Sequence, residues 1–303
     1  METVTVCLDG SPECAAVARW AAREAMRRGA RLTVLHVAPQ RPGRTTFVTP
    51  TDPRPRPAGK RWSPYPVAEA LQAAYPALSV TASEVTGRTV PALLTAAAES
   101  DLLVLGSWDT GAVGSLLPGS VAREVTRRSP APVVLVRTGE RETDEHQPDP
   151  DGNAATTTPY REVVVGVDVR HPYDPVLDFA FDAASRRAAP LRVVHGGGTA
   201  PSAPADRQGA DSPFEGMDEA TDDSRKVLTR TLARWAPKFP HTDVIPEAVV
   251  GDTGKHLVDV AAKASLLVIG RDDRMAEVGP VAGSVGRTVL RDAPAAVAVV
   301  PHR

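Results

Sequence analysis

The chain has 303 residues, of which 42% are hydrophobic, 24% charged and only 4% aromatic, the balance and length of a soluble globular protein of about two domains. Lys and Arg total 35 against 37 Asp and Glu, so the formal charge of −2 argues against a polyanion-binding surface and thus against nucleic-acid or membrane partners. The opening METVTVCLDGS lacks the basic and apolar regions of a leader, and no apolar run approaches the roughly 18 residues of a membrane span, which points to a cytoplasmic protein.

Short apolar runs predict strands at 3–8, 32–37, 80–85, 102–106 and 132–137, then at 162–167, 191–195, 244–250, 266–270 and 296–300. Their Val, Leu and Ile content is nearly continuous, as expected for strands covered on both faces. Between them, helical patterns occupy 14–28, 92–99 and 121–128, with counterparts at 176–187, 257–264 and 285–291. Ser11 and Pro12 read as the N-cap and first turn of the first helix. Cys7 and Cys14 have no disulfide-framework or metal-ligand spacing and read as small buried hydrophobes.

Two copies of one pattern account for this alternation. Leu102 to Gly106 and Gly119-Ser120 recur 164 residues later as Leu266 to Gly270 and Gly283-Ser284. Val4 to Asp9 and His36 recur 159 residues later as Val163 to Asp168 and His195. Only two copies, each of domain size, imply duplicated domains and not a solenoid. The expected fold is α/β, two tandem doubly wound five-stranded parallel sheets of flavodoxin-like or Rossmann-like type, spanning 1–137 and 161–303 with a polar linker at 138–160. Inserts follow strand two in both copies. Residues 39–65 carry six basic groups against Asp52, and residues 196–223 carry seven acidic groups against Arg207, read as solvated loops, as a pair that attract each other, or as a basic loop over an anionic ligand in the first copy and an acidic loop that discourages one in the second.

In open α/β sheets, ligands bind beyond the carboxyl ends of the strands where strand order reverses. Asp9 and Asp168 end strand one, where a carboxylate can accept hydrogen bonds from a ribose or a base. Gly106 and Gly270 end strand four, where the missing side chain admits a ligand to the backbone. Gly119-Ser120 and Gly283-Ser284 open helices whose free N–H groups and positive dipole attract phosphate.

These motifs resemble those of the universal stress protein family. The runs are GSWDTGAVGSLLPGS from Gly106 to Ser120 and GRDDRMAEVGPVAGS from Gly270 to Ser284, with VCLDGS, VVGVDV, LHV, VTG and VVGD in matching places. The resemblance implies ATP, with or without magnesium, as ligand. Asp9 would lie at the adenosine and the Val37 backbone at adenine. Gly106 and Ser107 would run along ribose and phosphates, with Gly119, Ser120 and Val121 at the phosphate chain; the second set is Asp168, Gly270, Gly283, Ser284 and Val285. It also implies a stress-response regulator with an unnamed protein partner, and pairing through the last strands, met here within one chain as an internal pseudo-dimer that leaves a further homodimer open.

The departures are specific. Asp109 and Asp273 replace the second motif glycine and put a carboxylate near phosphate, repulsive unless a divalent cation intervenes. In the second copy Gly196 replaces Val37 and Val169-Arg170-His171 replaces Gly10-Ser11-Pro12, so the first copy is expected to be the working site. Other readings are an interaction module with vestigial pockets, and a slow ATPase or phosphotransferase with Asp109 or Asp273 as base. No Walker phosphate loop occurs, Gly251 to Lys255 simply opens a helix, and no two of the seven histidines stand three or four apart, so no catalytic residue or metal site is assigned. His36 and His195 read as strand-end histidines and Trp108 as a loop side chain covering apolar surface.

Overall fold

The computed structural model describes residues 1–39, 62–107, 119–168, 174–196, 215–273 and 283–302. The first half runs β1 (Thr3–Cys7), α1 (Cys14–Arg28), β2 (Arg31–Pro39), α2 (Tyr65–Ala74), β3 (Val80–Gly87), α3 (Thr89–Ala98), β4 (Leu102–Ser107), α4 (Ser120–Arg128) and β5 (Val133–Arg137). After a 3-10 turn at Glu142–Glu145, the second half repeats it. It comprises β6 (Glu162–Val167), α5 (Asp174–Arg187), β7 (Leu191–Gly196), α6 (Glu215–Leu232), β8 (Val244–Val249), α7 (Thr253–Ala261), β9 (Ala264–Asp272), α8 (Gly283–Asp292) and β10 (Val297–His302).

All ten strands form one sheet in the order β3-β2-β1-β4-β5-β10-β9-β6-β7-β8. Within each half the pairing is parallel, and the 3-2-1-4-5 order is the Rossmann-like one of the two anticipated. The halves meet where β10 pairs antiparallel with β5, Ala298 opposite Val134, as the last-strand pairing implied by the family resemblance requires. One core beneath α1, α2, α5 and α6 runs unbroken across this seam, from Val4 and Trp20 to Phe181 and Trp235. On the other face, α3 with α4 and α7 with α8 cover separate clusters around Leu93 and Leu257.

Local sequence explains the element ends. The Ala-rich α1 stops at Gly29, whose φ of 59° lets its N–H reach Met26 O while Ala30 N–H reaches Ala25 O. Its start differs from expectation. Ser11 is not the N-cap; the Asp9 carboxylate takes the Ser11 N–H at 3.0 Å and the Cys14 thiol at 3.0 Å, and α1 begins only at Cys14. In α7, Asp252 accepts the Lys255 N–H at 3.0 Å, so the helix begins at Thr253, and Ala264, expected in the helix, already belongs to β9. The patterns of α2 and α6 went unread, and the acidic insert is helical from Glu215 onward. The basic stretch 40–61 lies outside the described residues.

The connection after β5 is no free tether. Glu145 is completely buried and bonds the guanidinium groups of Arg23 and Arg27 on α1, while Arg161 N–H returns to Glu145 O at 2.9 Å. Glu24, Arg27 and Arg28 on α1 and Arg187 on α5 extend this buried ionic cluster across the seam. Among the described residues no helix is long and apolar enough to cross a membrane.

Candidate functional site

A cavity of about 510 Å³ opens at the carboxyl ends of β1 and β4, the reversal point of the first half. Asp9, Val37, Gly106, Gly119, Ser120 and Val121 line it together, so the structure gathers most of the residues singled out in the first copy. Ser107 ends β4, and Asp109 and Trp108 lie outside the described residues.

The chemistry of the wall follows from three element ends. Gly119 is the N-cap of α4, with φ −53° and ψ 157°, and having no side chain it cannot cap the leading N–H groups of the helix, which among the described residues receive no side-chain cap. Asp9 is exposed and is oriented by the Ser11 N–H and the Cys14 thiol. His36 Nδ1 donates to Leu8 O at 2.9 Å, holding the imidazole at the inner wall, and Trp62 meets it edge-on with 4.7 Å between ring centres. Gly10 permits this approach, since its φ is +89° and a side chain there would strike the Trp62 ring.

Sequence reasoning missed Cys14, Glu13, Thr89 and Thr138, which also line the cavity. Cys14 is both a core residue and part of the wall of the site, and Cys7 lies mostly buried beside it. Burial pushes the Cys7 thiol up to about 12, helped by Cys14 and Asp9, and burial raises Cys14 too, so both stay protonated at neutral pH. A signal for Thr89 was present, because Gly87-Arg88-Thr89 and Gly251-Asp252-Thr253 repeat a Gly-x-Thr before the third helix.

The second half holds a smaller cavity of about 300 Å³, lined by Asp168, Gly270 and Val285 but not by Gly283 or Ser284. Two side chains crowd it. Thr253 at the start of α7 presses against the Gly196 backbone, in the space that a Val37 side chain would need. His302, which replaces Thr138, lies over Gly270, so a Cβ there would come within 2.8 Å of the ring. Asp273 does not project freely toward a ligand: it pairs with Arg271 at 2.9 Å. Val169-Arg170-His171 lie outside the described residues. His195 Nδ1 donates to Val167 O at 3.1 Å, repeating His36.

Comparison with known proteins agrees with this architecture. Residues 1–137 and 159–301 each match the model of the Universal stress protein family. Universal stress protein Rv2005c of Mycobacterium tuberculosis is 30% identical over 96% of this chain and 94% of its own. Universal stress protein Rv1996 of the same species is 29% identical over 99% and 95%. The crystal structure of a universal stress protein from Archaeoglobus fulgidus has a TM-score of 0.65 over 99% of this chain and 98% of that one, at 15% identity, a likeness of fold. Matched twice by the family model and over nearly its whole length by these relatives, the chain belongs to the universal stress protein family.

Proposed function

We propose that the protein is an adenine-nucleotide-binding regulator of a stress response, with ATP and magnesium held in the cavity of the first half. The observation that carries this reading is the meeting of the α4 N-terminus, the Gly106 backbone and the Asp9 carboxylate around one cavity at the strand-order reversal. Its volume of about 510 Å³ suits a nucleotide-sized ligand, whereas the second cavity, at about 300 Å³, is at the lower end for such sites. The residues fit the group. Val37 and Leu105 offer apolar wall for a base, Asp9 accepts from a ribose, and the α4 N–H groups receive phosphate oxygens.

The second half is then a structural partner with a reduced pocket, the reading favoured there by Thr253 against Gly196 and His302 over Gly270. Calorimetric titration of magnesium ATP into the full chain tests both statements. The expected stoichiometry is one, and the double substitution Gly119→Val, Ser120→Ala abolishes binding. A stoichiometry of two overturns the asymmetry between the halves. No binding at millimolar nucleotide overturns the ligand assignment and leaves a protein-interaction module.

A further inference from the structure

Each helix that opens one of the two candidate nucleotide sites is gripped at its far end by an arginine from the opposite half. Arg271, next to Gly270 on β9, donates through Nη1 to Arg127 O at 2.6 Å and through Nη2 to Ser129 O at 2.5 Å, both at the carboxyl end of α4. Arg137, which ends β5, donates to Ala293 O, the carbonyl that follows α8. Carbonyls in the last turn of a helix have no donor within the helix, and a cation there also meets the negative end of the helix dipole. The repeat does not dictate this arrangement. The counterpart of Arg271 is Ser107 and that of Arg137 is Pro301.

We propose that Arg271 is a positioning residue for the nucleotide site of the first half, acting across the seam through α4. This rests on the nucleotide reading above. The helix has nine residues, and its amino end supplies Ser120 and Val121 to the cavity. A rigid helix anchored at one end fixes the other, so the bidentate grip on Arg127 and Ser129 sets how far the α4 N–H groups reach into the cavity. The Arg271 side chain is 3% exposed and is itself steered by Asp273 in the second half. The first site is therefore complete only when both halves are present, and its affinity depends on how β9 of the second half is held.

The test uses the full chain with Arg271→Ala, Arg271→Lys and, as control, Arg186→Ala. The control removes another tie across the seam, Arg186 Nη1 to Arg27 O at 3.3 Å, without touching α4. Affinity for magnesium ATP is measured together with hydrogen exchange of the α4 amides in the unliganded protein. Arg271→Ala is expected to weaken binding about tenfold, an ordinary size for coupling between sites, and to speed α4 exchange. Arg271→Lys recovers part of both, and Arg186→Ala changes neither. If Arg271→Ala does not fold, Arg271→Gln takes its place with the same expected loss. Wild-type binding with an unaffected variant overturns this proposal alone, and equal losses in the Arg186→Ala control reduce Arg271 to a general seam contact and overturn it too. Absence of nucleotide binding by the wild type overturns the ligand assignment, and this proposal falls with it.

Discussion

Arg187 of α5 places its guanidinium 2.8 Å from the Glu24 carboxylate of α1, and with side-chain exposures of 0% and 1% neither group reaches water. Burial alone would raise the Glu24 pKa, but the guanidinium groups of Arg187, Arg27 and Arg28 reverse that and hold it well below the usual carboxylate range. Because its folded pKa is depressed, Glu24 contributes stability that is fully present above the ordinary carboxylate pKa and is lost as pH falls toward the folded value. Glu24→Gln leaves three buried cations short of a partner. It should cost about 3–5 kcal/mol near neutrality, read from urea midpoints, and should flatten the acid limb of the stability curve.

Glu140 should behave in the opposite sense. Burial, then the nearby Glu145 and Asp144 carboxylates, push its pKa up to about 8. A raised folded pKa means that its contribution is present below the unfolded value and is lost as pH rises through about 8. Glu140→Gln should therefore melt higher than wild type at pH 9, with the gap closing toward pH 5. A thermal-melting series across that range checks it, and equal melting at pH 9 would show that Glu140 ionises without cost.

The contact of Thr253 with Gly196 predicts that exchanging Val and Gly between the two halves has unequal effects. Gly196→Val forces a side chain against Thr253 and should destabilise the protein by about 1–3 kcal/mol. Adding Thr253→Ala should recover much of that loss, because the two changes share one contact. The reciprocal Val37→Gly in the first half creates no clash and only removes buried apolar surface.

The described wall of the larger cavity includes the Asp9 and Glu13 carboxylates and no Lys or Arg side chain. On the proposed function, a triphosphate there would depend on the α4 dipole and on a divalent cation for its charge balance. ATP affinity should thus fall sharply when magnesium is chelated. Glu13→Gln should soften that dependence, with the larger gain in the magnesium-free titration.

The strands and their parallel pairing were legible because Val, Leu and Ile runs recur at fixed offsets, and the lining of the candidate cavity was legible as far as it sits on strand and helix ends. Asp9, Gly106 and Gly119 are such residues. What the sequence hid is long-range. Nothing local tells that Glu145, in a polar stretch, is completely buried against Arg23, 122 residues away. Gly196 was visible as a departure, but Thr253 sits at the same offset as Thr89, so only packing reveals that it lies against Gly196 in the smaller cavity. The α2 and α6 helices escaped because Pro-rich and acidic neighbours masked their amphipathic patterns.

The antiparallel seam also bears on how such a chain diverges. In a symmetric dimer of identical chains every contact across the twofold occurs twice, so a substitution must suit both of its appearances at once. Joining the two copies in one polypeptide removes that constraint. Arginine can stand at 271 while serine stands at 107, and each side of the junction is free to specialise while the other supports it. Division of labour between a ligand-holding copy and a bracing copy is thereby open to a fused chain and closed to a dimer of identical ones.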